Sequence, residues 1–335
     1  MRQRRHHRWE TGITSFKMYF KLNLFKYIKM ELNDYQELIL QHRPALKPNS
    51  AKTYAVSLKS LSPKDSTNFG WLDDVDYVLS QLEKYKDTTR KNVLNAVIVV
   101  SEKDGEPFKR YTTERDKYHE KYAELTKAHK KTESQEKNWV DWPDYKSMVG
   151  EMKEDVKDLK GNDWSWREKQ RYQDYVIALL YSFYPLRNDF ADVKIVNKKT
   201  FNNTTTQQRE EQNYLMTEQN GHKMSLILNE YKTSKKYGEK TIELNTEVKK
   251  ALRKWLQHND SGYLLTDKHD KALGSNGITK SLARVGQRRL GKSLGSSLLR
   301  HSYLSDKYKD VNEKKQKDAD LMGHSVEMQD GYIKD

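Results

Sequence analysis

The chain has 335 residues and no cysteine, and its 62 basic and 48 acidic residues give a net charge of +14. The absence of cysteine excludes disulfides, cysteine–zinc sites and thiol catalysis, and it fits a reducing intracellular setting. No run of about eighteen apolar residues occurs, so the sequence predicts no membrane span. An excess of basic residues this large indicates a polyanionic partner, either nucleic acid or an anionic membrane surface.

Residues 1–30 carry eight basic residues and one acidic residue, half of the net charge of the whole chain. The stretch RQRRHHR at 2–8 is typical of an arm that contacts DNA. It also has the arginine-rich, acid-poor composition of an organelle transit peptide, and a solvated tail is a third interpretation.

Four apolar stripes with helical spacing follow between residues 31 and 103. They lie in NDYQELILQHR, PNSAKTYAVSLKSL, DDVDYVLSQLEKY and DTTRKNVLNAVIVVSE. Four short helices of this kind predict a small helical bundle. Several basic residues near the helix starts are candidates for phosphate contacts, although each alone is more typical of a solvated helix face. They are Lys47, Lys52, Lys59, Arg90 and Lys91.

The segment 104–160 is highly charged. Its first part, YTTERDKYHEKYAELTKAHKKTESQEK, has alternating charges and predicts a long exposed helix that connects two domains. The following NWVDWPDYKSMVGEMKEDVKDLKG is typical of the entry to a second domain, where Trp139 and Trp142 are expected to close a core.

Residues 161–335 combine helices with a few strands. SWREKQRYQDYVIALLYSFY has the apolar spacing of an amphipathic helix and ends at Pro185, which cannot continue it. Strand-like runs follow at 193–196, 213–217, 224–229 and 240–244, and Asn-Gly at 220–221 is a hairpin signal. Helical patterns return after 246. The order predicts a mainly α fold of the α+β class, with a small antiparallel β-sheet.

Five side chains in this half have the chemistry that cleavage of a phosphodiester needs. Arginine binds two phosphate oxygens through its planar guanidinium, and a tyrosine hydroxyl can form a reversible covalent ester with phosphorus. Lysine and histidine supply protons or hydrogen bonds, so that no metal ion is required if enough cations gather. The candidates are Arg187, Lys232, Arg300, His324 and Tyr332.

The order of four motifs resembles the catalytic domain of the tyrosine recombinases, the phage-type integrase family. The motifs are YPLRNDFADV, NEYKTSKKYGEKTIEL, SSLLRHSYLSDKY and LMGHSVEMQDGYIKD. The helical segment looks, more loosely, like that family's core-binding domain. The resemblance implies a basic N-terminal arm at 1–30, a core-binding DNA domain at 31–103, a charged helical connector at 104–160 and a catalytic domain at 161–335.

The resemblance also implies a role for each candidate and no cofactor or metal ion. Arg187 and Arg300 would bind the scissile phosphate, and His324 would hydrogen-bond to it. Lys232 would protonate the 5′-oxygen as that oxygen leaves. Tyr332 would attack phosphorus and form a 3′-phosphotyrosine link, which a 5′-hydroxyl of a partner strand then resolves.

The sequence departs from the family pattern in the second half of the site. Ser297 stands three residues before the second arginine, where the family has histidine or lysine. The serine hydroxyl can donate a hydrogen bond but cannot act as a general base near neutral pH. We therefore treat Ser297 as an accessory residue. Tyr332 follows His324 by eight residues, where the family has nine. Lys235 and Lys236 are alternatives for the hairpin lysine.

The first motif departs as well. Pro185 replaces the family's glycine, and Phe190 replaces an acidic residue three places after the arginine. Asp189 or Asp192 is the nearest substitute for that acid.

We therefore expect a site-specific DNA recombinase or integrase, acting on double-stranded DNA as a homo-oligomer, a tetramer, and serving a viral or mobile element. It would be intracellular and located with DNA, in the cytoplasm, the nucleus or a viral factory. A type IB topoisomerase shares the tyrosine chemistry and is the alternative enzyme. A non-catalytic DNA-binding relative is the alternative from another class, and Ser297 is the residue that argues for it. A membrane-surface protein is disfavoured, because no strongly basic helix has a continuous apolar face.

Overall fold

The computed structural model describes residues 29–127, 130–161, 163–323, 325–326 and 328–329. The chain divides into two compact units between Lys130 and Lys131. Nearly all of the predicted arm at 1–30 lies outside the described residues. Within the described ranges, no helix is both long enough and apolar enough to cross a membrane.

The first unit is a bundle of helices. They are α1 (Leu32–His42), α2 (Pro48–Leu61), α3 (Val75–Leu82), α4 (Asp87–Val100) and α5 (Glu106–Lys127), with a 3₁₀ helix at Gly70–Leu72. The four helices predicted between 31 and 103 are α1 to α4. Their apolar stripes meet in one core, because side chains three and four residues apart share a helix face. Fully buried members of this core include Ile39, Leu58, Leu94 and Val97.

Helix α5 packs against the bundle and does not stand free. Tyr111 is fully buried, and its hydroxyl donates a hydrogen bond to the Leu72 carbonyl at 2.7 Å. The next long helix, α7 (Trp142–Asp155), contributes instead to the core of the second unit. The structure thus divides the segment 104–160 between the two units, because each part of it carries its own apolar face.

Three of the five basic residues predicted near helix starts have partners within the first unit. Arg90 Nε donates to the Leu82 and Tyr85 carbonyls at 3.0 and 2.7 Å, so the guanidinium caps the C-terminal end of α3. Arg90 therefore has a structural role that the sequence pattern did not indicate.

Lys59 and Lys91 are the other two. Lys59 pairs with Glu31 at 2.8 Å. Lys91 Nζ lies 4.4 Å from the Tyr122 ring centroid. Lys59 lies in the last turn of α2 and not near a helix start, so that part of the prediction was wrong.

The second unit surrounds a central helix, α8 (Trp166–Phe183). Its other elements are α6 (Glu133–Asn138), α7, β1 (Lys194–Asn197), α9 (Lys198–Asn202), α10 (Thr206–Glu210), β2 (Tyr214–Glu218), β3 (Lys223–Leu228), α11 (Ser234–Tyr237), β4 (Lys240–Glu243), α12 (Thr246–Leu256), α13 (Gly274–Leu290), α14 (Ser296–Lys307) and α15 (Lys309–Met322). Every residue from 172 to 181 is buried, because α7, α12 and α13 cover α8. The middle of α8 is thus buried on all sides. The prediction of an amphipathic helix with one exposed face was wrong for these residues.

The polar residues of α8 are satisfied within the core. Gln173 exchanges two hydrogen bonds with the backbone of Thr266, at 2.9 and 2.7 Å. Asp174 accepts from the Ser281 hydroxyl at 2.5 Å and from Arg284 Nη2 at 2.6 Å. These contacts offset the cost of burying an amide and a carboxylate, and those of Asp174 fix α8 against α13.

The sheet has the order β1-β2-β3-β4 and is mixed. β1 and β2 are parallel, whereas β2–β3 and β3–β4 are antiparallel. The prediction of a purely antiparallel sheet was wrong at the β1 edge, because α9 and α10 return the chain to the end where β1 began. The turn prediction between β2 and β3 is confirmed: Asn220 and Gly221 have φ angles of 53° and 81°.

The C-terminal helices lie at one side of this core. Trp142 is buried and packs edge-on against Tyr303 of α14, with ring centroids 5.2 Å apart, and Trp139 packs against the same core. Both tryptophans therefore have the core role expected of them. Ala319 is the one buried residue of helix α15. The helix ends at Gly323, which has the left-handed backbone conformation common at helix C-termini, with a φ of 71°.

Candidate active site

The segment that carries Arg187 is held from two sides. Helix α8 stops before Pro185, and the Tyr181 hydroxyl of its last turns donates to the Arg187 carbonyl at 2.8 Å. The Asn188 amide donates to the Ser275 hydroxyl and the Thr279 hydroxyl at 2.9 and 3.0 Å. These bonds fix the backbone of the segment and leave the Arg187 side chain exposed.

Arg300 lies in the second turn of α14 and meets the same segment. Leu298 and Leu299 beside it are buried in the core, which orients the helix. Arg300 Nη1 donates to the Leu186 carbonyl at 3.2 Å, and the side chain is half-buried. Two arginines that are 113 positions apart in the sequence are thereby brought together.

The two guanidinium groups repel each other. Burial and the positive charge of Arg187 lower the pKa of Arg300. Among the described residues, neither guanidinium forms a salt bridge with a carboxylate. An anion placed between them would relieve this repulsion, and phosphate fits because its oxygens accept hydrogen bonds from both guanidinium groups.

Asp189 is the acidic residue nearest to the pair. Burial raises the pKa of Asp189, and the charges of Arg187 and Arg300 oppose this effect only in part. Asp192 is exposed, and its carbonyl accepts a hydrogen bond from Gln212. Of the two acids expected to substitute at Phe190, the structure places Asp189 beside the arginines, while Phe190 itself is fully buried.

The predicted lysines lie in the turn between β3 and β4. Lys232 is exposed and has no hydrogen bond or salt bridge with another described residue. Lys235 and Lys236 are exposed on the single-turn helix α11, and Lys236 Nζ lies 5.2 Å from the Tyr237 ring centroid. No direct contact joins any of the three lysines to the arginine pair within the described residues.

Asn213 ties the lysine turn to the arginine segment. Its side-chain amide donates to the Asp189 carbonyl at 3.2 Å and to the Glu230 carbonyl at 2.8 Å. Its side-chain oxygen accepts from the backbone N–H groups of Asn229 and Glu230, at 2.9 and 2.8 Å. One buried side chain therefore sets the distance between two motifs that the sequence keeps apart.

Of the three remaining predicted residues, the structure describes Ser297 but not His324 or Tyr332. Ser297 is exposed in the first turn of α14, three residues before Arg300. His324 and Tyr332 lie outside the described residues.

Sequence reasoning missed the residues that hold the motifs together. Tyr181 belongs to the apolar pattern of α8, and Asn213 precedes a strand, so neither has a local signal of a role near the arginines. Lys240 begins β4, and nothing in the sequence distinguishes it from the other lysines of that hairpin. No family model matches the chain, and no curated protein matches it.

Proposed function

We propose that the protein cuts and rejoins double-stranded DNA through a 3′-phosphotyrosine intermediate, as a site-specific recombinase or integrase. The observation that carries the proposal is the pairing of Arg187 with Arg300, two guanidinium groups without a carboxylate salt bridge in the described part of the chain. The order of the four sequence motifs and the net charge of +14 support it.

The proposed reaction begins with phosphate bound between the arginines. Their charge stabilises the extra negative charge of the five-coordinate phosphorus, where preorganised donors contribute most. The Tyr332 hydroxyl oxygen then forms a bond to phosphorus, and the bond from phosphorus to the 5′-oxygen breaks. The phenol loses its proton to solvent or a base, and Lys232 gives a proton to the leaving 5′-oxygen.

Rejoining is the reverse of this step on another strand. A 5′-hydroxyl attacks phosphorus, and the phenol leaves, which is favourable because its pKa of about 10 is well below that of an alcohol. His324 would donate a hydrogen bond to a phosphate oxygen throughout. The chemistry consumes no cofactor, since each bond broken is replaced by one of similar energy. Strand exchange requires a homo-oligomer, a tetramer, on two DNA sites, within the compartment that holds the viral or mobile DNA.

A trapping assay tests this proposal. Nicked duplexes cut from the DNA that flanks the gene are incubated with the protein, and the products are separated on a denaturing gel. The nick lets the 5′-hydroxyl fragment diffuse away, so that the covalent adduct accumulates. We expect a protein–DNA band that disappears in Tyr332→Phe while DNA binding persists.

The same assay distinguishes the alternatives. Adduct formation by Tyr332→Phe at the wild-type level would overturn the assignment of the nucleophile. Binding without any adduct on the flanking duplexes would favour the non-catalytic DNA-binding relative. Relaxation of a supercoiled plasmid by the monomer, without exchange between two DNA sites, would favour a type IB topoisomerase.

A further inference from the structure

Lys240 is exposed, and its ammonium group lies near two tyrosine rings at the end of the β3–β4 hairpin. Its Nζ is 4.9 Å from the Tyr231 ring centroid and 5.3 Å from the Tyr237 ring centroid. The Tyr231 hydroxyl donates to the Gly238 carbonyl at 2.7 Å and closes the turn. Because aromatic faces attract an ammonium group, the two rings restrict where Nζ can be.

The backbone around Lys240 is fixed relative to the arginine segment. Lys240 of β4 pairs with Leu228 of β3, and Leu228 lies two residues before Glu230 in the sequence. The Asn213 amide joins the Glu230 carbonyl to the Asp189 carbonyl. The end of the hairpin is thus attached to the loop that carries Arg187.

The charge of Lys240 reaches the same group as the charges of the two arginines. Lys240, Arg187 and Arg300 all lower the pKa of Asp189 against the effect of its burial. Among the described residues, Lys240 forms no salt bridge of its own. It is therefore a cation close enough to act on Asp189, the acid beside the two arginines, without forming a salt bridge to it.

We propose that Lys240 is a third phosphate-binding cation of this site, held in place by Tyr231 and Tyr237. The inference rests on the proposed function, since it assumes that the arginine pair binds a DNA phosphate. Lys240 acts through its charge on a non-bridging phosphate oxygen and transfers no proton. The two tyrosines are positioning residues, whose rings hold the ammonium.

The first test measures the single-turnover rate of covalent adduct formation on the trapped duplex. Lys240→Met is expected to slow it about tenfold or more, in the direction found when one preorganised donor is removed. Lys240→Arg is expected to keep most of the rate, because it keeps the charge. Tyr237→Leu, which removes the ring, is expected to be slower than Tyr237→Phe, which keeps it.

The matched control is Lys223→Met, an exposed lysine at the other end of the same sheet that contacts no ring of a described residue. Equal rates for Lys240→Met and Lys223→Met would overturn the proposal. If Lys240→Arg were as slow as Lys240→Met, charge would not be the property that matters, and the proposal would also fall. Urea unfolding of each variant shows whether a slow rate reflects an intact fold.

A second test does not depend on cleavage and therefore separates this inference from the proposed function. Inorganic pyrophosphate is the probe, and the rise in Tm that it causes is the readout. We expect Lys240→Met to reduce the rise in the wild-type background but not in the Arg300→Ala background, because both residues would bind the same anion. Equal reductions in both backgrounds would contradict a shared site. If the pyrophosphate test indicates a shared site but the protein forms no covalent adduct, Lys240 remains a phosphate-binding residue and the proposed recombinase activity is rejected.

Discussion

Arg300 Nη1 donates a hydrogen bond to the carbonyl of Leu186 at 3.2 Å, across 114 residues of sequence. This contact places the guanidinium beside Arg187, the next residue along the chain. The backbone carbonyl uses part of the donor capacity of Arg300, and within the described ranges the rest of the fork has no hydrogen-bond partner and can bind a ligand. The contact is thus both a structural link and the reason that two like charges adjoin.

Replacing Arg300 is expected to affect cleavage far more than folding. Arg300→Ala should slow single-turnover adduct formation roughly a hundredfold or more, as does the loss of one preorganised donor to a developing negative charge. Arg300→Lys should be intermediate, because it keeps the charge and loses the planar fork. Arg288→Ala, at an exposed position near the end of α13, is the control and should keep the wild-type rate. If Arg300→Ala formed the adduct as fast as Arg288→Ala, Arg300 would not be part of the phosphate-binding site.

Asn213→Ala is expected to destabilise the second unit. The variant loses four hydrogen bonds that join Asp189, Asn229 and Glu230, and we expect the free energy of unfolding to fall by about 2–4 kcal/mol. Urea denaturation measures it, and Asn203→Ala, at an exposed position after α9, is the control. A loss no larger than that of Asn203→Ala would show that the link does not stabilise the fold.

Asp189→Asn should change how stability depends on pH. Burial raises the folded-state pKa of Asp189 above its unfolded value, so the folded protein binds this proton more tightly. The unfavourable contribution of the carboxylate is therefore absent below the unfolded pKa and complete above the folded pKa. We expect Asp189→Asn to gain stability relative to the wild type as pH rises from about 3.5 to about 7. A difference that stays constant or shrinks over this range would contradict the raised pKa.

The arm at 1–30 gives a prediction about salt. If its eight basic residues contact DNA, a chain without them should bind more weakly. The slope of log K against log salt should then become shallower by about 0.9 for each phosphate that the arm no longer neutralises. Filter binding or fluorescence anisotropy over a series of salt concentrations measures this slope. An unchanged slope would favour the solvated tail or the transit peptide.

Local sequence signals located most of the secondary structure. The helices α1 to α4 have apolar residues at helical spacing, and α8 ends where Pro185 forbids another turn. The turn at Asn220 and Gly221 needs left-handed backbone angles, which these two residues adopt at low cost. Each of these preferences acts within a few residues, which is why it can be read from the sequence.

Pairings over long distances could not be predicted in this way. The sheet was predicted to be antiparallel, and the parallel pairing of β1 with β2 was missed, because strand direction depends on the path of α9 and α10 and not on the strand residues. The burial of all sides of α8 was missed for a similar reason, since Gln173 and Asp174 look like a polar face until Thr266 and Arg284 are packed against them.

The candidate site shows the same difference between what single residues indicate and what long-range packing decides. The sequence by itself determined which side chains have phosphate chemistry, because the planar fork of arginine and the hydroxyl of tyrosine are properties of single residues. Only the tertiary structure decided that Arg187 adjoins Arg300, that Asp189 and not Asp192 lies near them, and that Lys240 lies near two tyrosine rings. These relationships depend on contacts between distant segments, which form only when the helices and the sheet have packed.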